Sequence, residues 1–281
     1  MAPISAPFVT PQPPHNRPET DHGRDTPCLQ FRLERPRFQP ACSRQQAPVF
    51  GWYQPRRAHN QVEKHIKTAI VFDLDGTLID SAPDLHAACV KMLTQENAQV
   101  PNLEQVISYI GNGVPKLVER AMKAANIPMD QHERLVRSFM KFYNQNPATL
   151  TTLYPNLIPM LDGLIKNGHR LAICTNKPEA PARVILDLLD IEFYFDEVVG
   201  GDTLDQKKPE PEPLLHVLNL MGVERCLYVG DSEVDAETAD RAGQPMALFT
   251  EGYRKVPVAK LAHEFAFDDF ADLAAYIKTL G

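Results

Sequence analysis

The sequence predicts an α/β fold, a core domain on a parallel sheet with a small all-helical cap inserted after the first strand. Three observations predict it. A short apolar strand at residues 68–72 opens the patterned part of the chain. Residues 83–146, approximately, then read as helices alone. Beyond residue 156 strands and helices alternate, which implies βαβ units and a parallel sheet.

The first strand, Thr68–Phe72, is a continuous apolar run of the kind buried on both faces. Helical periodicity follows over Asp84–Glu96, Leu103–Tyr109, Val114–Ala124 and Met129–Asn146, separated by the breakers IGNG and NIPMD. Alternation then gives helix Asn156–Lys166, strand Arg170–Thr175, helix Glu179–Leu189 and strand Glu197–Gly200. Helix Glu212–Met221, strand Cys226–Gly230, helix Val234–Arg241, strand Met246–Thr250 and a strand–helix unit over 265–279 complete the order. The implied division is a core of residues 63–80 and 152–281 and a cap of residues 81–151. No internal repeat is visible.

Residues 1–62 read as a disordered, Pro/Arg-rich leader. Eleven of the 25 prolines lie in the first 60 residues, with eight arginines and four acids, a local charge of +4. So little apolar surface cannot offset ordering entropy. The leader lacks the apolar stretch of a secretory signal, and an organellar transit peptide is the minor reading.

The net charge of −7 argues against a general affinity for nucleic acid or anionic membrane. No apolar run approaches the length of a membrane span. The five cysteines are odd in number, widely spaced and without CxxC, which argues against disulfides or a zinc knuckle and favours a reducing cytoplasm. The nine histidines show no metal-ligand spacing.

Chemistry concentrates where strands end, as sites in open α/β sheets do. The first strand runs into Asp73-Leu74-Asp75-Gly76-Thr77. If it stays extended, Asp73 and Asp75 point to one side, and two such charges need a proton or a cation between them. The strand RLAIC ends in Thr175-Asn176, Lys208 precedes Pro209, and LYVG ends in Asp231-Ser232-Glu233-Val234-Asp235. Each has a plainer reading. Asp73 and Asp75 suit a turn, Ser232 with Asp235 suits a capping box, Thr175 and Asn176 suit a helix start, and Lys208 suits a solvated lysine. Together they describe chemistry on a phosphate. Carboxylates hold Mg²⁺ through hard oxygen ligands. One Asp attacks phosphorus, a second carboxyl moves protons, and a lysine, a hydroxyl and loop N–H groups steady the transferring charge.

DLDGT, Thr175-Asn176, Lys208-Pro209 and GDSEVD stand in the order of the four motifs of the haloacid dehalogenase-like superfamily, which residues 68–280 resemble. The resemblance implies a Rossmann-like core with a helical cap. It implies Asp73 as nucleophile and Asp75 as general acid/base. Mg²⁺ would sit on Asp73, the Asp75 backbone carbonyl and Asp231, with Asp235 in support. Gly76, Thr77, Thr175, Asn176 and Lys208 would bind phosphate. The carboxylate at Asp75 favours phosphate esters over dehalogenation. The segments IDSAPDL, IGNGVPKLVERAM, LYP, TNKP and VGDSEVDAETADRAG look like bacterial phosphoglycolate phosphatases, so 2-phosphoglycolate is the expected substrate. Its carboxylate needs a partner, and Lys116 or Arg120 in the cap is one expectation, a solvated cap face the other. Other readings keep the mechanism with a sugar phosphate, a nucleoside monophosphate, pyrophosphate or a phosphosugar mutase reaction, or make the chain a non-catalytic binding protein. The segment EGYRKVPVAKL departs from the small or glycine-containing turn usual in such relatives, which touches cap docking rather than catalysis.

Overall fold

In the computed structural model, which describes residues 69–280, strand β1 (Ala69–Phe72) is at most 1% exposed at any residue. Alternation explains why all its side chains are apolar. Ile70 and Phe72 pack into one core, Ala69 and Val71 into a second on the opposite face. The leader lies outside the described residues.

The strand does not continue through Asp75. It stops at Phe72, and the chain turns at once: the amides of Thr77, Leu78 and Ile79 all donate to Leu74 O, and the Gly76 amide donates to Ile79 O. A two-residue strand β2 (Ile79–Asp80) leaves this turn. Four helices follow: α1 (Ala82–Gln95), α2 (Leu103–Tyr109), α3 (Gly113–Ala124) and α4 (His132–Gln145). α1 packs on α2 and α4, and α3 on both α2 and α4. The helix expected over Met129–Asn146 is a 3₁₀ turn, Met129–Gln131, followed by α4. α1 begins two residues before Asp84, with Pro83 in its first turn, where a missing N–H costs nothing. Strand β3 (Thr152–Leu153) then pairs antiparallel with β2.

The rest alternates as expected: α5 (Leu157–Lys166), β4 (Leu171–Cys174), α6 (Glu179–Leu188), β5 (Glu197–Val199), α7 (Glu212–Met221), β6 (Cys226–Gly230), α8 (Glu233–Arg241), β7 (Met246–Phe249), β8 (Phe265–Phe267) and α9 (Phe270–Thr279). The six long-range strands form one parallel sheet in the order β5-β4-β1-β6-β7-β8. α7 and α8 cover one face; α5, α6 and α9 cover the other, together with buried residues of the inserted helices. The chain builds outward from β1 in both directions. The crevice therefore opens where β1 meets β4 and β6, at the carboxyl ends of the strands. Among the described residues no helix is long and apolar enough to cross a membrane.

Candidate active site

Asp73 is the first residue past β1, and its amide is fixed on Val229 O of β6. Asp231 is the first residue past β6, and Asp235 lies in the first turn of α8. Asp73, Asp231 and Asp235 are buried, and each offers an oxygen within 4.8 Å of the others'. Three carboxylates so close repel one another unless protons or cations intervene. Lys208 supplies one charge: its Nζ is 2.7 Å from Asp235 Oδ1, 2.9 Å from the Tyr228 hydroxyl and 3.0 Å from Asp73 Oδ1. The last contact is ion-pair range without hydrogen-bond alignment, so Asp73 Oδ1 is a buried oxygen with no hydrogen-bond partner.

The electrostatics are divided unequally. Burial, reinforced by the Asp235 charge, lifts Asp73 to about 6 against the pull of Lys208. Burial and the neighbouring Asp235 and Asp73 push Asp231 well above the usual carboxylate range. Burial acts on Asp235 as well, but Lys208 and hydrogen bonds from Ser232 and Tyr228 overcome it and hold Asp235 low. Three buried carboxylates within 4.8 Å of one another, two of them held above the usual range although Lys208 is present, suit a divalent cation, which hard oxygen ligands prefer. The residues present fit Mg²⁺.

The cradle depends on close approach. Gly76 has φ +89°, and a Cβ there would stand 2.7 Å from Asp231 Oδ2 and 2.8 Å from the Tyr253 ring. A Cβ on Gly252 would stand 2.3 Å from Asp231 Cβ, so the loop beyond β7 presses on the same carboxylate. Thr77 Oγ1 donates to Asp231 Oδ1 and the Tyr253 amide donates to Asp231 Oδ2. The amides of Gly76 and Thr77 are used inside the turn. They shape the cradle.

Asp75 faces a different partner. Lys177 Nζ lies 3.0 and 3.1 Å from its two oxygens, and Ser81 Oγ donates to it. Lys177 also donates to the Tyr143 hydroxyl of α4. Asp73 and Asp75 are thus kept apart in charge by separate lysines. Lys177 escaped the sequence reading, although it directly follows Thr175-Asn176 at a strand end. Thr175 is buried and lines the crevice with its hydroxyl accepting the Lys177 amide. The Asn176 side chain donates to Lys208 O at 3.0 Å and, more weakly, to Gly111 O at 3.4 Å; its Oδ1 is buried without a partner. The capping reading of Asp235 holds, since its Oδ2 accepts from the Ser232 amide and hydroxyl, and its Oδ1 at the same time holds Lys208.

The crevice that holds Asp73, Asp75, Thr175 and Lys208 is closed opposite by Leu85, Ile110, Val114 and Leu117 of the inserted helices. Lys116 and Arg120 do not line it. Lys116 pairs with Glu119 at 2.8 Å with its side chain 45% exposed. Arg120 donates to Tyr109 O, Ile110 O and Asn112 Oδ1, holding the loop that leads into α3. A helix periodicity places both on one face but does not say which way that face turns.

The sequence profile of the haloacid dehalogenase-like hydrolases matches residues 70–249, which span β1 to β7 and every acid of the cluster. This chain belongs to that family. It is 45% identical over 213 residues to a phosphoglycolate phosphatase of Cereibacter sphaeroides, covering 75% of this chain and 98% of that one. It is 39% identical over 218 residues to a phosphoglycolate phosphatase of Rhodospirillum rubrum, covering 74% and 90%. A crystal structure described as a predicted phosphoglycolate phosphatase from Haemophilus somnus 129pt superimposes with a TM-score of 0.72 at 34% identity, over 75% of this chain and 97% of that one. The α/β fold read from the sequence is that of these family members.

Proposed function

We propose that this chain is a Mg²⁺-dependent phosphatase that hydrolyses 2-phosphoglycolate to glycolate and phosphate through an aspartyl-phosphate. It is a phosphoric monoester hydrolase. The observation that carries the reading is the buried acid cluster of Asp73, Asp231 and Asp235 with the Lys208 ammonium beside Asp73 and Asp235. The substrate is the one named in relatives that this chain matches across nearly their whole length.

Asp73 is placed to attack phosphorus. Lys208, beside both Asp73 and Asp235, steadies the phosphoryl oxygens, and the Thr175 hydroxyl can donate to them. Asp75 gives its proton to the leaving alkoxide and then takes one from the water that cleaves the aspartyl-phosphate. Lys177 and Ser81 hold Asp75 in place for both steps. Asp73, Asp231 and the Asp75 backbone carbonyl, with Asp235 in support, would hold Mg²⁺, which would supply charge to screen the phosphoryl group from the attacking carboxylate. Residues 81–151 act as a cap over the core of residues 63–80 and 152–281, excluding water and selecting a small substrate. The buried free thiols of Cys89, Cys174 and Cys226 suit a reducing cytoplasm.

The test is phosphate release from a panel of metabolites with Mg²⁺ or chelator, for wild type and Asp73→Asn. Preference for 2-phosphoglycolate, lost in both controls, is expected. Broad or sugar-phosphate activity with the same controls would retain the mechanism and reject the substrate. No release from any ester would reject the enzyme.

A further inference from the structure

The proposed substrate has two anionic ends, and the phosphate end is met by Lys208. The cations lining the crevice are Lys177, Lys208 and Lys255. Lys177 is committed to Asp75 and Tyr143, and Lys208 to the acid cluster. Lys255 is different. Among the described residues no carboxylate lies in ion-pair range of its ammonium, and its one hydrogen bond is to Ile110 O at 2.7 Å. An ammonium has three N–H donors, so two remain to be used.

The position is built rather than accidental. The Tyr253 amide is fixed on Asp231 Oδ2 and the Lys255 amide on Glu233 Oε2, so the loop that carries Lys255 is attached to the acid cluster and to the start of α8. Although the residue as a whole is open to solvent, its ammonium turns onto the loop between α2 and α3. Gly111 follows the accepting carbonyl, and a Cβ built on it would be in ordinary contact with Lys255 Nζ at 3.8 Å, so the ammonium lies against this loop. Arg120 donates to the same Ile110 carbonyl, which concentrates positive charge at this wall. Burial, with Arg120 adding to it, holds the Lys255 ammonium below the usual lysine range against the opposing charges of Glu233 and Asp231. A carboxylate at the ammonium would offset the repulsion from Arg120. The remaining cap wall is apolar, through Ile110, Val114 and Leu117, and offers a carboxylate nothing else.

We infer that Lys255 is the specificity-determining residue that binds the substrate's carboxylate. This deepens the proposed function and rests on it. The contact is absent from a phosphate ester without a carboxylate, and it joins the substrate's far end to the inserted helices through Ile110.

The experiment compares steady-state kinetics on 2-phosphoglycolate and on ethyl phosphate, which has the same two-carbon alcohol end without the acid. Wild type, Lys255→Met and Lys255→Arg are measured with saturating Mg²⁺. A charge-assisted hydrogen bond lost at this site lowers kcat/KM on 2-phosphoglycolate about 10- to 100-fold in Lys255→Met, chiefly through KM. Ethyl phosphate turnover is unchanged, and Lys255→Arg keeps most of the preference. Equal losses on both esters would make Lys255 a structural tie and overturn the inference. A wild type that prefers 2-phosphoglycolate, with the preference intact in Lys255→Met, overturns this assignment alone. A wild type that handles ethyl phosphate as well as 2-phosphoglycolate overturns the proposed substrate and this assignment with it.

Discussion

Asp73 and Asp75 are two residues apart yet answer to different lysines, Lys208 and Lys177. In the proposed mechanism that separation lets one carboxyl attack while the other moves protons. Replacing Asp73 by Asn keeps the volume and removes the proposed nucleophile. Phosphate release should fall about 10³-fold or more, because groups acting as a unit lose nearly everything together. Asp75→Asn should cost about 10²- to 10⁴-fold, the range for a general acid/base. Circular dichroism should show both variants folded. Gly76→Ala tests the cradle. Its φ of +89° and the 2.7 Å gap to Asp231 leave no room for a methyl group. Mg²⁺ binding measured by calorimetry should be lost or severely weakened. Binding at wild-type strength would show that the Asp231 carboxylate is not a ligand.

Two ties connect elements that the chain itself keeps apart. Asp84 on α1 accepts hydrogen bonds from the amides of Leu150 and Thr151 and from the Thr151 hydroxyl. It thus fastens the strand returning from the inserted helices to the helix that leaves the core. Asp84→Ala strands these donors in a buried setting and should lower stability by about 2–3 kcal/mol, read from urea unfolding. Lys177 joins the end of β4 both to Asp75 and to Tyr143 of α4. Its side chain is 6% exposed and that of Asp75 16%. Removing one partner of a buried pair leaves the other uncompensated. Lys177→Met should therefore cost about 3–5 kcal/mol and reduce activity at the same time. Neither tie shows in periodicity, which reports one helix face at a time.

At the scale of the molecule, the crevice lies between strand ends on one side and inserted helices on the other, so the position of those helices governs access. Small-angle scattering with Mg²⁺ and a phosphate mimic should show a more compact particle than the free protein. Superimposable profiles would exclude a large closure. Ligand binding to the folded state alone also predicts stabilisation by Mg²⁺, about 2.7 kcal/mol at a hundred times the dissociation constant, lost on chelation. A melting temperature indifferent to Mg²⁺ would count against the acid cluster as its site.

The sequence by itself determined the order of the elements, because β1, α7 and β6 carry their periods in side chains whose burial decides folding. It also placed Asp73, Asp75, Thr175 and Asp231 at strand ends, Lys208 ahead of a helix and Asp235 four residues past Asp231, and the structure brings these together. Only the tertiary structure decided the remainder. Two-residue strands such as β2 and β3 are too short to show a period. The turn at Leu74, the use of the Gly76 and Thr77 amides within it, and the direction in which Lys116, Arg120, Lys177 and Lys255 point depend on contacts between segments far apart in the chain. A residue's type fixes the chemistry it can do, but the partner that directs it comes from packing, and packing is not local.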